Sequence, residues 1–118
     1  MTADHPIRIA PNPRRVRVRL GGKTVADTAR ALTLFEASYP GVQYVPREDA
    51  DMSLLTRTAH KTHCPYKGDA AYYSIAADGR TAENAVWTYE QPFPGVAEIA
   101  GYLAFYPNKV EIIEERSD

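Results

Sequence analysis

Cys64 is the single cysteine of this chain, and bases crowd it: His60, Lys61, His63 and Lys67 all fall within four positions. Cations near a thiol stabilise the thiolate, which is the nucleophilic and redox-active form. Cys64 and Lys67 are therefore the candidate catalytic groups. Against this stands a plainer reading, because free cysteine is among the most buried residue types and serves well as a small core hydrophobe. A thiol reductase would also want a resolving cysteine, and the chain has no second one.

Other constellations carry less. His60, His63 and Cys64, with His5 as a fourth group, do not follow a zinc spacing such as paired Cys-x-x-Cys, so no metal site is expected. Asp49-Ala50-Asp51 has a carboxylate spacing able to hold Mg²⁺ for nucleotidyl or phosphoryl transfer. Acidic residues that open a helix more often serve its dipole. Lys67-Gly68 lacks the long glycine-rich loop of a Walker motif, but the lysine can meet an anionic group as a point charge. Seven tyrosines (Tyr44, Tyr66, Tyr72, Tyr73, Tyr89, Tyr102, Tyr106) and Trp87 offer apolar rings with polar handles, suited to a planar ligand as well as to a core.

These groups must be positioned by strands. Val16 to Leu20 alternates apolar and charged residues, and Gly21-Gly22 supplies the positive φ angles of a hairpin turn into Lys23 to Asp27. Leu32, Leu34 and Glu36 share one face of the next strand, which Tyr39-Pro40-Gly41 ends before a short strand at Val42 to Val45. Pro46 followed by acidic residues predicts a short helix over 47–55. Strands are expected over Ala70 to Ile75 and Val86 to Tyr89, with Asp78-Gly79 as a turn between them. Val96 to Ala100 is expected to form a helical turn. Tyr102–Tyr106 and Val110–Glu114 are expected to pair as a last hairpin. A faint echo joins the halves: Glu36 and Gly41 recur as Glu90 and Gly95, each 54 positions on (90 − 36 and 95 − 41).

The chain of 118 residues is expected to be one domain, with 1–13 as an N-terminal arm and 116–118 as a frayed tail. Fourteen basic and fifteen acidic residues leave a net charge of -1, so no global field would draw in nucleic acid or an anionic membrane. Arg8 to Arg19 at the front and Glu111 to Asp118 at the end are expected to pair across strands. No stretch approaches the about 20 apolar residues of a membrane span, and no signal peptide is evident at the start. A cytoplasmic location is the expectation.

In order along the chain stand His5-Pro6-Ile7, Tyr44-Val45-Pro46-Arg47, Cys64-Pro65-Tyr66-Lys67-Gly68 with Tyr72-Tyr73, Trp87-Thr88-Tyr89 and Gly101 to Tyr106. This set resembles the domain-of-unknown-function 427 family, a bacterial family also described as nucleotidyltransferase-like. The resemblance implies a mainly β fold of the β-tent kind: two antiparallel sheets meeting at an angle, with one or two short helices. Relatives of that fold include zinc modules and B-type methionine sulfoxide reductases, but their paired cysteines and second thiol have no counterpart here. Kinship of fold does not fix function.

The reading that follows is a small anionic or planar ligand held near Cys64 and Lys67, with Arg47, Tyr44, Tyr73, Trp87, Tyr89 and Glu36 as ligand-binding residues and the cofactor unknown. The alternatives are an enzyme, by Mg²⁺-dependent transfer or thiol chemistry, and a protein-interaction module without catalysis.

Overall fold

The computed structural model describes residues 6–115. The expected frayed tail at 116–118 and His5 lie outside the described residues. Ten strands dominate the described residues: β1 (Ile7–Pro11), β2 (Arg15–Leu20), β3 (Lys23–Thr28), β4 (Leu32–Glu36), β5 (Val42–Tyr44), β6 (Leu55–Cys64), β7 (Gly68–Ala77), β8 (Arg80–Thr88), β9 (Leu103–Phe105) and β10 (Glu111–Glu115). The mainly β class is as expected. Residues 7–11 of the expected arm form β1, which pairs with β4.

Among the described residues the hydrogen-bonded sheets are β1-β4-β5, β10-β2-β3 and β6-β7-β8-β9, antiparallel throughout as expected. Two of them join where Val45 and Leu103 exchange both backbone hydrogen bonds at 2.8 Å. The internal echo has a counterpart in this topology. One unit runs β6-β7-β8-β9, and the other, which takes β10 from the end of the chain, runs β10-β2-β3 followed, after a break at Ala29–Ala31, by β4-β5. One long strand, β8, thus does in the second half what β3 and β4 share in the first, and β5 meets β9 at the junction.

Two expectations are corrected. The helix over 47–55 is instead a pair of single 3-10 turns, Arg47–Asp49 and Met52–Leu54. Ala50 between them is extended and bridges to Ala26, and the Asp51 side chain accepts from the Ser53 amide to start the second turn. The last hairpin does not form either. β9 is already flanked by β8 and β5, so β10 pairs with β2, placing Glu111 opposite Arg19 and Glu115 opposite Arg15. Arg17 reaches Glu115 at 2.5 Å, so the basic front and acidic end do pair across strands.

Apolar burial forms two cores on opposite faces of the β6–β9 sheet. One holds Val18, Val25, Tyr73, Ile75, Val86 and Phe105 beneath the β2–β3 hairpin. The other holds Leu34, Tyr44, Tyr72, Tyr89, Ile99 and Ala104 against β4 and β5. Because side chains alternate along a strand, neighbours such as Tyr72 and Tyr73 belong to different cores. No helix among the described residues is long and apolar enough to cross a membrane.

Candidate functional site

The Cys64-Pro65-Tyr66-Lys67-Gly68 segment is the turn between β6 and β7. The Lys67 amide donates to the Cys64 carbonyl at 3.2 Å, and Gly68 leaves the turn at φ +118°, a conformation that favours glycine. The Phe93 amide donates to the Lys67 carbonyl at 2.9 Å and ties the 90–95 loop to the turn.

Lys67 folds inward. Its residue is 7% exposed, and Nζ donates to Glu36 Oε1 at 2.5 Å, 6.0 Å from the centroid of the Tyr89 ring. Taking both charges from water is costly, and their mutual attraction offsets that cost only with close geometry, which this pair has. Cys64 is half-buried and packs on the same core as Tyr44, Tyr89 and Trp87. Trp87 Nε1 donates to the Tyr44 hydroxyl at 3.3 Å with the rings edge to face. Burial pushes the Tyr44 and Tyr89 phenols above their ordinary range, so both stay neutral. Six of the eight candidates (Cys64, Lys67, Glu36, Tyr44, Trp87 and Tyr89) are thus brought together.

Arg47 and Tyr73 are not with them. The β7–β8 register pairs Tyr73 with Val86 and Ala71 with Thr88, on the face opposite Tyr72 and Trp87. There Arg47 donates through Nε to the Gly101 carbonyl at 3.1 Å and through Nη1 to the Tyr73 hydroxyl at 3.1 Å. Its Nη2 lies 3.9 Å from Glu90. The sheet stands between Arg47 and Lys67, so the two cations cannot grip one anionic group.

Residues beyond those eight build a concavity on the Arg47 side. The β6–β7 register sets Arg57, Lys61 and His63 opposite Tyr73, Ala71 and Asp69. All share one face. Arg57, Lys61, His63, Asp69 and Ala71, with Glu90, line a cleft of about 640 Å³. Arg57 holds Glu90 through two bonds of 2.8 and 3.1 Å, and His63 Nδ1 lies 2.6 Å from Asp69 Oδ1. The Arg57 hydrogen bond, helped by the charges of Arg57 and Arg47 against desolvation, holds the Glu90 carboxyl below its ordinary range. Arg57, Asp69 and Glu90 were not among the sequence-based ligand residues. Arg57, Lys61 and His63 keep even spacing, but no apolar alternation marks β6 as a strand, and its register against β7 shifts between Arg57 and Lys61.

Asp49 and Asp51 have local work. Asp49 accepts from Thr28 Oγ1 at 2.7 Å and from Arg30 at 3.1 Å, while Asp51 caps Ser53. His60 rests edge-on against Tyr72, 4.4 Å between ring centres, and His63 turns to Asp69. Among the described residues no three histidine, cysteine, aspartate or glutamate side chains gather as a metal site would need.

No curated protein matches the chain. Residues 8–116 match the family model described as Domain of unknown function (DUF427), and with nearly all of its 118 residues covered the chain belongs to that family.

Proposed function

We propose that this domain binds a small polar ligand with at least one anionic group in the cleft beside the Cys64–Gly68 turn. The observation that carries the reading is the row of Arg57, Lys61 and His63, three cationic or protonatable side chains of one strand that face one cleft. Lys61 offers a point charge, and Arg57 a planar fork that a carboxylate or phosphate can share with Glu90. The aromatic group around Cys64 supports the site from behind. Lys67, neutralised by Glu36 and packed near Tyr89, Tyr44 and Trp87, holds the turn that sets His63 and Asp69 in place. Arg47 and Tyr73 brace Glu90 and Arg57 from the other end.

Calorimetric titration with inorganic phosphate and a panel of small carboxylates tests this. Saturable binding is expected, weakened about tenfold in Lys61→Ala, as for one lost charge-assisted contact. Equal affinities in wild type and variant, or no heat with any member of the panel, would end the proposal.

A second reading, catalysis, is favoured by one contact. A carboxylate 2.6 Å from His63 Nδ1 fixes the tautomer in which Nε2 accepts a proton, as a general base requires. Turnover of a bound ligand that survives Asp69→Asn unchanged would count against it.

A further inference from the structure

The opposite face of the sheet carries a second concavity, separate from the cleft and walled by the same aromatic core on which Cys64 and Trp87 pack. A pocket of about 330 Å³ is lined by His60, Tyr72, Asn84, Tyr106, Asn108 and Lys109. Its walls are rings. His60 packs edge-on against Tyr72 at 4.4 Å. Tyr72 and Tyr106 lie within 12° of parallel, their hydroxyls 3.2 Å apart. Trp87 packs behind Tyr106, 4.5 Å between ring centres.

The ladders are irregular at this level. β6 against β7 shifts register between Arg57 and Lys61, and β7 against β8 shifts between Tyr73 and Ile75. Bulges re-aim side chains and concentrate beside functional sites. Asn84 sits in the irregular stretch at φ +49°, a left-handed conformation that costs energy for a residue with a side chain. Its amide N–H donates to Ser74 Oγ at 2.9 Å, and its Oδ1 accepts from Thr58 Oγ1 at 2.7 Å. With Oδ1 anchored, the side-chain NH₂ is left as the donor available to the pocket. At the rim, Lys109 Nζ donates to the Glu83 carbonyl at 2.7 Å and stands 5.7 Å from the Tyr106 ring centre. That ammonium is held in place with further donors to offer.

We infer that this pocket binds a planar heteroaromatic ligand carrying an anionic substituent. The ring lies against His60 and Tyr106, Asn84 donates to a ring heteroatom, and Lys109 meets the anion. Stacking supplies contact without regard to ring identity, while Asn84 and Lys109 set orientation. Neither group belongs to the cleft on the Arg57 face, so the two sites stand or fall separately.

Amide NMR on the isotope-labelled full chain tests it, with nicotinate and quinoline-3-carboxylate, whose ring nitrogens accept a hydrogen bond, as probes and cyclohexanecarboxylate as the non-planar control. Both aromatic acids at millimolar concentration are expected to shift resonances around Tyr72, Asn84, Tyr106 and Lys109. Quenching of Trp87, the only tryptophan, should follow the same isotherm. Lys109→Ala is expected to weaken binding about fivefold, as for one cation at an aromatic rim. His60 is exposed, so His60→Ala checks the stacking wall without disturbing the core. The inference is overturned if neither aromatic acid moves these resonances, if the saturated acid moves them as strongly, if the shifts map only to Arg57, Lys61 and His63, or if neither variant weakens the response of these resonances.

Discussion

Glu36 and Lys67, 31 positions apart in the chain, meet at 2.5 Å across the junction between the β4 strand and the β6–β7 turn. The lysine side chain is 8% exposed and the glutamate side chain 21%, so the pair lies at the edge of the second core and not in open solvent.

Removing the lysine takes the close ion-pair partner from a carboxylate that water reaches only in part. Lys67→Met keeps most of the aliphatic stem and is expected to cost about 2–3 kcal/mol, below the figure for a fully buried pair because Glu36 retains some hydration. Adding Glu36→Leu should recover part of that loss. Urea denaturation of the four members of the double-mutant cycle measures the coupling, and strictly additive losses would show that the pair contributes nothing.

Glu90 links acid stability to the cleft. Its carboxyl sits below its ordinary value of 4.5 when folded, so its contribution is present above that value and is lost as the pH falls through the lower, folded pKa. Glu90→Gln should therefore flatten the acid limb of the stability curve below about pH 4.5. An acid limb identical to that of wild type would sink this assignment.

The tyrosines predict the alkaline limb. Burial, with the Tyr72 hydrogen bond adding to it, pushes Tyr106 up to about 12, and Tyr44 and Tyr89 rise as well. A phenol whose folded pKa is raised stabilises the fold fully below the ordinary value of 10.0 and loses that contribution as pH rises through the folded value. Urea midpoints should decline from about pH 10 upward, less steeply in Tyr89→Phe. Phenolate absorbance at 295 nm should show these rings ionising late.

Two glycines at similar angles should differ in cost. Gly21 has φ +61° and Gly79 φ +71°. A Cβ on Gly21 would come within 2.6 Å of Asp78 Oδ2, which accepts from the Gly22 amide at 2.6 Å, whereas a Cβ on Gly79 meets nothing within 4 Å. Gly79→Ala should cost about 1 kcal/mol from backbone conformation alone, and Gly21→Ala about 2 kcal/mol because that hydrogen bond is displaced as well. Thermal denaturation ranks them, and equal costs would show that the contact between the two turn tips is idle.

Local chemistry along the chain determined much of this fold. The alternation in Val16 to Leu20, the Gly21-Gly22 and Asp78-Gly79 turns and the break at Tyr39-Pro40-Gly41 act over a few residues, and all stand where the sequence puts them. The grouping of Cys64 and Lys67 with Tyr44, Trp87, Tyr89 and Glu36 was legible too. Leu34 and Glu36 share a strand face, and the turn motif keeps Cys64 close to Lys67. Tertiary structure alone decided which face each group serves. Strand side chains alternate, so Tyr73 left Tyr72's side and took Arg47 with it, and register brought Arg57, Lys61 and His63 to a cleft with Asp69 and Glu90. β6 hid from its sequence because its ten residues, most of them exposed, carry no apolar period. β10 chose β2 over β9 because β9 had no edge left, a fact of strand order that no local pattern encodes.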